Sequence, residues 1–248
     1  MASSPSRSRT SRALATVGFD TATDDTAVAA LRGDEVVYES LLGLSEKGSP
    51  LHTTALLVEV ERAAAACGGW EGVASVGVGA GPGSFTGVRV GIATARAVGL
   101  SRGLPVVGVS TLDALGLALA ERGGPPSRLA VLDARRGEVF AALYGTAGER
   151  LWEPAVYRPE ALAERIAGLG EQSLGAGSGA VKFREELARS GVEIPADTDP
   201  VHRIVARHIC TLAAAGGGAK EAESAVPLYL RPPDAERWRE RDTFPTAG

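Results

Sequence analysis

The sequence predicts an α/β protein built as two successive lobes, on three observations. A short apolar run ending in a carboxylate, residues 14–20 (LATVGFD), is followed after a polar turn at Asp24-Asp25 by a second apolar run at 26–31. The same order of strand, carboxylate, turn and strand returns at 129–133 and 138–144, around Arg135-Arg136-Gly137. Between the two copies stands GGPPS at 123–127, the best lobe boundary in the chain, because Gly and Pro interrupt both helix and strand there.

Each element follows from its local pattern. Residues 14–20 and 26–31 read as antiparallel strands, and 36–42 supplies a third. Apolar side chains recur at helical spacing from His52 to Cys67, through Leu56, Leu57, Val60 and Ala63/Ala64, and Gly68-Gly69 closes that helix. A strand at 73–79 leads into a helix at 86–102 that ends at Gly103; a strand at 105–109 and a helix at 112–122 complete the first lobe. The second lobe adds a helix at 159–169, a strand at 173–176, a helix at 181–190 and a last long helix at 202–215 that is expected to pack back on the first lobe. The expected organisation is an N-terminal extension (1–13, disordered), a first lobe at 14–123 joined by the helix near 201–216, a second lobe at 127–200, and a C-terminal segment at 217–248 whose end is disordered. Two lobes that each open on a strand ending in Asp are the arrangement of an actin-like or sugar-kinase-like ATPase fold.

Composition narrows the function. The chain has 248 residues with 44% apolar content, enough to bury a proper core. Formal charge is −4, so no general positive field exists to attract a polyphosphate backbone, and autonomous nucleic-acid binding is disfavoured. Cys67 and Cys210 stand far apart with no metal or disulfide spacing, which fits a reducing cytoplasm. No apolar run reaches the roughly 20 residues of a membrane span, and residues 1–12 lack the apolar stretch of a secretion signal.

The glycine-rich segment 79–91, GAGPGSFTGVRVG, invites comparison with a phosphate cradle at a helix start. A P-loop needs Lys after its last glycine, and Val88 follows Gly87 here. A dinucleotide fingerprint needs a third glycine where Ser84 stands. The helix it launches carries the sharper signal: Gly87, Gly91, Ala95 and Gly99 recur every four residues and line one face with the smallest side chains. Glycine inside a helix costs about 0.5–1 kcal/mol relative to Ala, so a packing gain must offset it. That face is buried either inside its own lobe or between subunits.

Four segments in order, GPGSFTGVRVGIA (81–93), GLPVVGVSTLDAL (103–115), VLDARRGEVFAALY (131–144) and VPLYLRPP (226–233), resemble the TsaB (YeaZ) family, and the likeness runs from about residue 14 to 238. The resemblance implies the two-lobed fold of actin, Hsp70 and sugar kinases. It implies a non-catalytic partner of TsaD, which with TsaB and the ATPase TsaE transfers a threonylcarbamoyl group to the adenosine next to the tRNA anticodon. The partners implied are thus a TsaD-type transferase, a TsaE-type ATPase, a second copy of the chain when TsaD is absent, and tRNA only through the complex. ATP and metal belong to those partner enzymes, with no cofactor of this chain's own. The contact residues expected on this basis are Leu56 and Val60 of the first helix and Gly87, Arg89, Val90, Gly91, Ala95 and Val98 of the second.

TsaD is a relative of TsaB, and its metal is held by a His-x-x-x-His pair at the place of Thr111 to Leu115 here; neither Thr111 nor Leu115 replaces an imidazole. Its Ser-Gly-Gly-type turn at the phosphates corresponds to Ala134-Arg135-Arg136-Gly137, where two long side chains occupy the turn. Asp20, Thr21, Asp133 and Arg135 are the remaining candidates for contact with a nucleotide. Asp20 matches the first-lobe carboxylate of such kinases, although a turn role suits it at least as well. His52, His202 and His208 form no metal-ligand spacing, and GPGSFTG lacks the geometry of a nucleophile elbow. The competing reading is a free-standing ATP-dependent kinase or hydrolase of the same fold, for which the Asp20 and Asp133 hairpins are the best support.

Overall fold

The computed structural model describes residues 13–216 and 225–231. The expected disorder at both termini therefore lies outside the described residues, apart from residue 13 and the segment 225–231. Nineteen elements follow one another among the described residues. The first sheet is made of β1 (Ala15–Asp20), β2 (Thr26–Arg32), β3 (Glu35–Leu42), β4 (Val73–Gly79) and β5 (Val106–Val109), in the order β3-β2-β1-β4-β5. The second is made of β6 (Ser127–Asp133), β7 (Val139–Tyr144), β8 (Arg150–Tyr157), β9 (Ser173–Ala176) and β10 (Val192–Glu193), in the order β10-β9-β6-β7-β8. Written from the other edge, the second order repeats the first, strand for strand. In each sheet the opening strand pairs antiparallel with the next and parallel with the fourth.

Strand alternation sorts the side chains into layers. In β1, Ala15, Val17 and Phe19 face α1 (His52–Ala66) and α2 (Phe85–Arg102), together with Val28, Ala30, Val76 and Val78. The opposite face of the same sheet receives α7 (Ala206–Ala215). That approach is close because two glycines leave room for it: a Cβ on Gly18 would sit 2.6 Å from Cys210 Sγ, and one on Gly77 would sit 2.8 Å from the Ala213 methyl. In the second lobe, Leu129, Val131, Val139, Ala141 and Leu143 face α4 (Pro159–Ala167), α5 (Ser178–Lys182) and α6 (Arg184–Ala188). Ala130, Leu132, Ala142 and Tyr144 face α3 (Thr111–Arg122) instead. Helices α3 and α7 pack on each other between the two sheets, so each sheet buries both faces, as their near-continuous apolar strands require.

The structure revises four expectations. The chain break at 123–127 follows α3, but α3 packs on the second sheet, with Tyr144 seated on Gly116, so the division between lobes in space precedes it. The helix expected at 181–190 is two short helices broken at Phe183, whose φ of −114° and ψ of 35° leave the helical region. The long helix expected from residue 202 starts at Ala206, after a 3-10 turn at Pro200–His202 and an extended Arg203. Strand β8 was not expected; Pro154 sits in it, and an edge strand tolerates a residue with no N–H to donate.

The small-residue face of α2 is turned inward. Gly87, Gly91, Ala95, Val98 and Gly99 are buried in this chain's own lobe, as are Leu56 and Val60 of α1. The α2 residues lie toward β4 and the corner that follows β1, and the α1 residues toward β1 and β2, so none of them is on an open surface. Of the eight expected contact residues only Arg89 and Val90 reach the outer side of α2. A methyl added at Gly91 would meet Thr21 Oγ1 at 2.6 Å, and Gly91→Ala is expected to cost about 1–3 kcal/mol by overpacking. Gly87→Ala should cost more, since its Cβ would land on the Thr21 carbonyl oxygen, which cannot move aside. Equilibrium urea denaturation of the two variants checks the order.

Candidate functional site

The corner after β1, Asp20-Thr21-Ala22, is packed tightly inside the first lobe. Asp20, Thr21 and Ala22 are 1%, 0% and 2% exposed. Four glycines of the GAGPGSFTGVRVG segment surround them. A Cβ on Gly79 would fall on the Asp20 carboxylate, one on Gly83 on the Ala22 carbonyl, one on Gly87 on the Thr21 carbonyl, and one on Gly91 against the Thr21 hydroxyl. The glycine-rich segment is therefore a socket for this corner. Ser84 caps α2 by accepting from the Gly87 N–H at 3.3 Å, and the Thr21 hydroxyl donates to the Gly87 carbonyl at 2.7 Å.

Both Asp20 oxygens are engaged within the socket. Oδ1 accepts from the Ala22 N–H at 2.7 Å, and Oδ2 accepts from the Thr111 hydroxyl at 2.8 Å. Burial pushes the carboxyl up from its ordinary 3.8 to about 6, against the two hydrogen bonds that pull it down. The Thr111 hydroxyl thus serves the buried carboxylate.

Beside this corner the lobes enclose a cleft of about 830 Å³. Its first-lobe wall carries Asp24, Asp25 and the residues that open α2, and its second-lobe wall carries Asp133, Arg135 and Arg136. Asp20 and Thr21 do not line it. Arg135 and Arg136 sit at φ of 62° and 55°, in the left-handed region that costs a side chain about 1 kcal/mol or more per residue. Arg135 reaches across to Asp24 at 3.3 Å, and Arg203 forms a two-pronged pair with Asp25 at 2.8 and 2.7 Å. Asp133 accepts from Lys182 Nζ at 2.9 Å and from the Arg135 N–H at 2.9 Å. The four residues expected to meet a nucleotide are split accordingly: Asp20 and Thr21 are packed away, while Asp133 and Arg135 face the cleft, already tied to partners.

The histidines are also committed. His52 Nδ1 lies 2.8 Å from the Thr26 hydroxyl and Nε2 lies 3.1 Å from the Thr23 carbonyl, fixing the turn between β1 and β2. His202 accepts from the Gly177 N–H at 3.2 Å, and His208 pairs with Glu121 at 2.9 Å, joining α7 to α3. Among the described residues no group of three His, Cys, Asp or Glu side chains is placed to hold a metal ion. No helix among them is long and apolar enough to cross a membrane. Asp113 binds Arg150 and the buried Tyr144 hydroxyl, at 2.5 and 2.7 Å, and is a structural carboxylate.

Sequence reasoning missed the cleft's third wall, residues 225–231. It runs over α2 and on to the second lobe, contributing Leu228, Tyr229, Leu230 and Arg231 to the lining. Its seven residues are too few for a periodic signal, and only the VPLYLRPP resemblance marked them.

Comparison with known proteins agrees with this architecture. The family model described as TsaD, tRNA N6-adenosine threonylcarbamoyltransferase, matches residues 45–215. The Escherichia coli (strain K12) protein named tRNA threonylcarbamoyladenosine biosynthesis protein TsaB is 35% identical over 164 residues, which cover 62% of this chain and 68% of that one. The chain belongs to the TsaB family. The structure of YeaZ from Pseudomonas aeruginosa superposes with a TM-score of 0.71 at 27% identity, covering 88% of this chain and all of that one. A ROK hexokinase from Thermus thermophilus, 13% identical, gives a TM-score of 0.50 over 82% of this chain and all of that one, a likeness of fold alone. This TsaB-family chain thus has the two-lobed fold of the sugar kinases.

The buried carboxylate gives a pH test. A carboxyl whose pKa is raised on folding favours the folded state below its unfolded value, and that contribution is lost as pH rises through the folded value. For Asp20 the window runs from about pH 4 to about pH 6, and the loss is on the order of 3 kcal/mol. Asp20→Asn keeps an acceptor for the Ala22 N–H and removes the charge. Urea denaturation of this variant should lack that fall in stability and show equal or higher stability than the parent at pH 8.

Proposed function

We propose that this chain is a non-catalytic subunit in the formation of N6-threonylcarbamoyladenosine in tRNA, one that binds a TsaD-type threonylcarbamoyltransferase and supports it. The name of the Escherichia coli relative supports the pathway. The observation that carries the non-catalytic part is Asp20: the first-lobe carboxylate is sealed in a glycine socket with both oxygens occupied, and it does not face the cleft. On this reading the chain uses no nucleotide or metal of its own, ATP and metal being handled by the TsaD-type enzyme and a TsaE-type ATPase. With a net charge of −4 it meets tRNA only through the complex, and it works in the cytoplasm.

The surface suited to association is the outer side of α1 and α2. Leu57, Val58 and Leu100 are 57%, 49% and 66% exposed, and Ala93, Ala97 and the partly exposed Val90 share that side of α2. Small side chains along a helix let a second helix approach closely, and flanking leucines supply area to bury. The same surface serves a second copy of the chain when TsaD is absent, so the two associations exclude each other.

Leu57→Glu, Ala97→Glu and Leu100→Glu lie outside the core and should each change stability by less than about 0.5 kcal/mol. They should abolish both self-association and co-purification with TsaD, read by analytical ultracentrifugation and pull-down. Wild-type affinity in all three would place the contact elsewhere. The isolated chain should hydrolyse no ATP above buffer; turnover that disappears in Asp20→Ala would make it an enzyme.

A further inference from the structure

The segment at residues 225–231 crosses from one lobe to the other within seven residues, and its contacts differ at its two ends. On the first lobe, Ala225 is 2% exposed in the core beneath α2. Its carbonyl accepts two hydrogen bonds from Arg96, at 3.1 and 2.7 Å. The Leu228 N–H donates to the Ala80 carbonyl at 2.8 Å, extending the path of β4. Tyr229 receives the Arg89 guanidinium on its hydroxyl at 2.9 Å, and Arg89 stacks on Phe85 at 3.6 Å. Two residues further on, the chain is held by the second lobe. Arg231 donates to the Ala134 carbonyl at 3.2 Å and pairs with Glu138, both in the β6–β7 hairpin, while Leu230 packs on the core that contains Leu132 and Phe140.

We propose that residues 225–231 are a clasp that fixes the angle between the lobes, so that the cleft keeps its aperture without a ligand bridging its walls. Proteins with two lobes around a cleft close by hinge motion when a bound molecule ties the walls together. Here the ties come from the chain itself. Arg135–Asp24 and Arg203–Asp25 also span the lobes; Arg135–Asp24 is largely exposed and screened by salt, while Arg203–Asp25 is two-pronged and partly buried, its attraction still that of an ion pair. The clasp combines a backbone hydrogen bond, a buried anchor and a guanidinium whose side chain is only 16% exposed, so it is the tie that salt does not loosen.

The test measures the distance between lobes in the full-length chain. Spin labels at Asp34→Cys and Glu164→Cys mark the two lobes, the native Cys67 and Cys210 being buried. The parent should give a narrow distribution that is unchanged between 0.1 and 1 M NaCl, where the screening length falls from about 10 Å to about 3 Å. Arg231→Ala should broaden it by at least about twofold, increasingly with salt, and raise exchange of the Leu228 amide at least about tenfold. Arg96→Ala should do the same from the other end, which keeps the test available should one variant fail to fold. A distribution that stays narrow in both folded variants overturns the proposal. So does a parent that broadens in 1 M NaCl as far as the variants, since the ion pairs would then be the tie.

Discussion

Everything in the first lobe is arranged around the space needed by three residues, Asp20, Thr21 and Ala22. The polypeptide leaves β1 at the floor of the lobe and must turn while α2 and the end of β4 press on it. A side chain at Gly79, Gly83, Gly87 or Gly91 would occupy the volume of that corner, in three cases that of backbone or carboxylate atoms. Gly87 and Gly91 weaken the helix they sit in, by about 0.5–1 kcal/mol each relative to Ala. The packing they permit, with Val88, Ile92 and Ala95 buried against β1 and β4, more than offsets that cost. The helix start, the turn and the strand end are therefore one packing unit, and its chemistry is contact within the chain.

That constraint also decides what Asp20 does. A carboxylate at the end of the first strand, beside a cleft between lobes, has the position for metal or phosphate chemistry, but position is not availability. Burial raises its pKa to about 6, and its lone pairs are spent on the Ala22 N–H and the Thr111 hydroxyl. The Thr111 hydroxyl is a hydrogen-bond donor that keeps the carboxylate facing inward. In the second lobe, the turn after β6 holds Arg135 and Arg136 in left-handed conformations, and Arg135 is turned toward Asp24. Each position is filled by a group that satisfies another part of the same chain.

Much of this could be read from residues alone, and the reasons it stopped are physical. The strands β1, β2, β4, β6 and β7 are short apolar runs bounded by turn residues, and a sheet buried on both faces writes that pattern plainly. The duplicated strand, carboxylate and turn gave the two lobes. The four-residue spacing of Gly87, Gly91, Ala95 and Gly99 correctly marked a close-packed face, but spacing cannot say which neighbour packs there. The neighbour is Thr21, more than sixty residues upstream. The outer face, with Ala93, Ala97 and Leu100, carries the same small-residue character about half a turn away, and only burial separates the two. Residues 225–231 were legible as a motif and illegible as a role, because a seven-residue extended segment acquires meaning from what it touches at each end.

The position of α7 completes the argument. It follows the second lobe in the chain yet lies on the first sheet, so the two lobes share a helical layer in which α3 belongs to one sheet by packing and to the other by sequence. Gly18 and Gly77 let α7 sit within van der Waals distance of the sheet backbone, and the His208–Glu121 pair joins it to α3. Any rotation of one lobe against the other would have to move α3 against α7, which pack on each other. The short extended segment anchored on α2 and on the β6–β7 hairpin joins the lobes outside that helical layer, so its hydrogen bonds add a second tie between them.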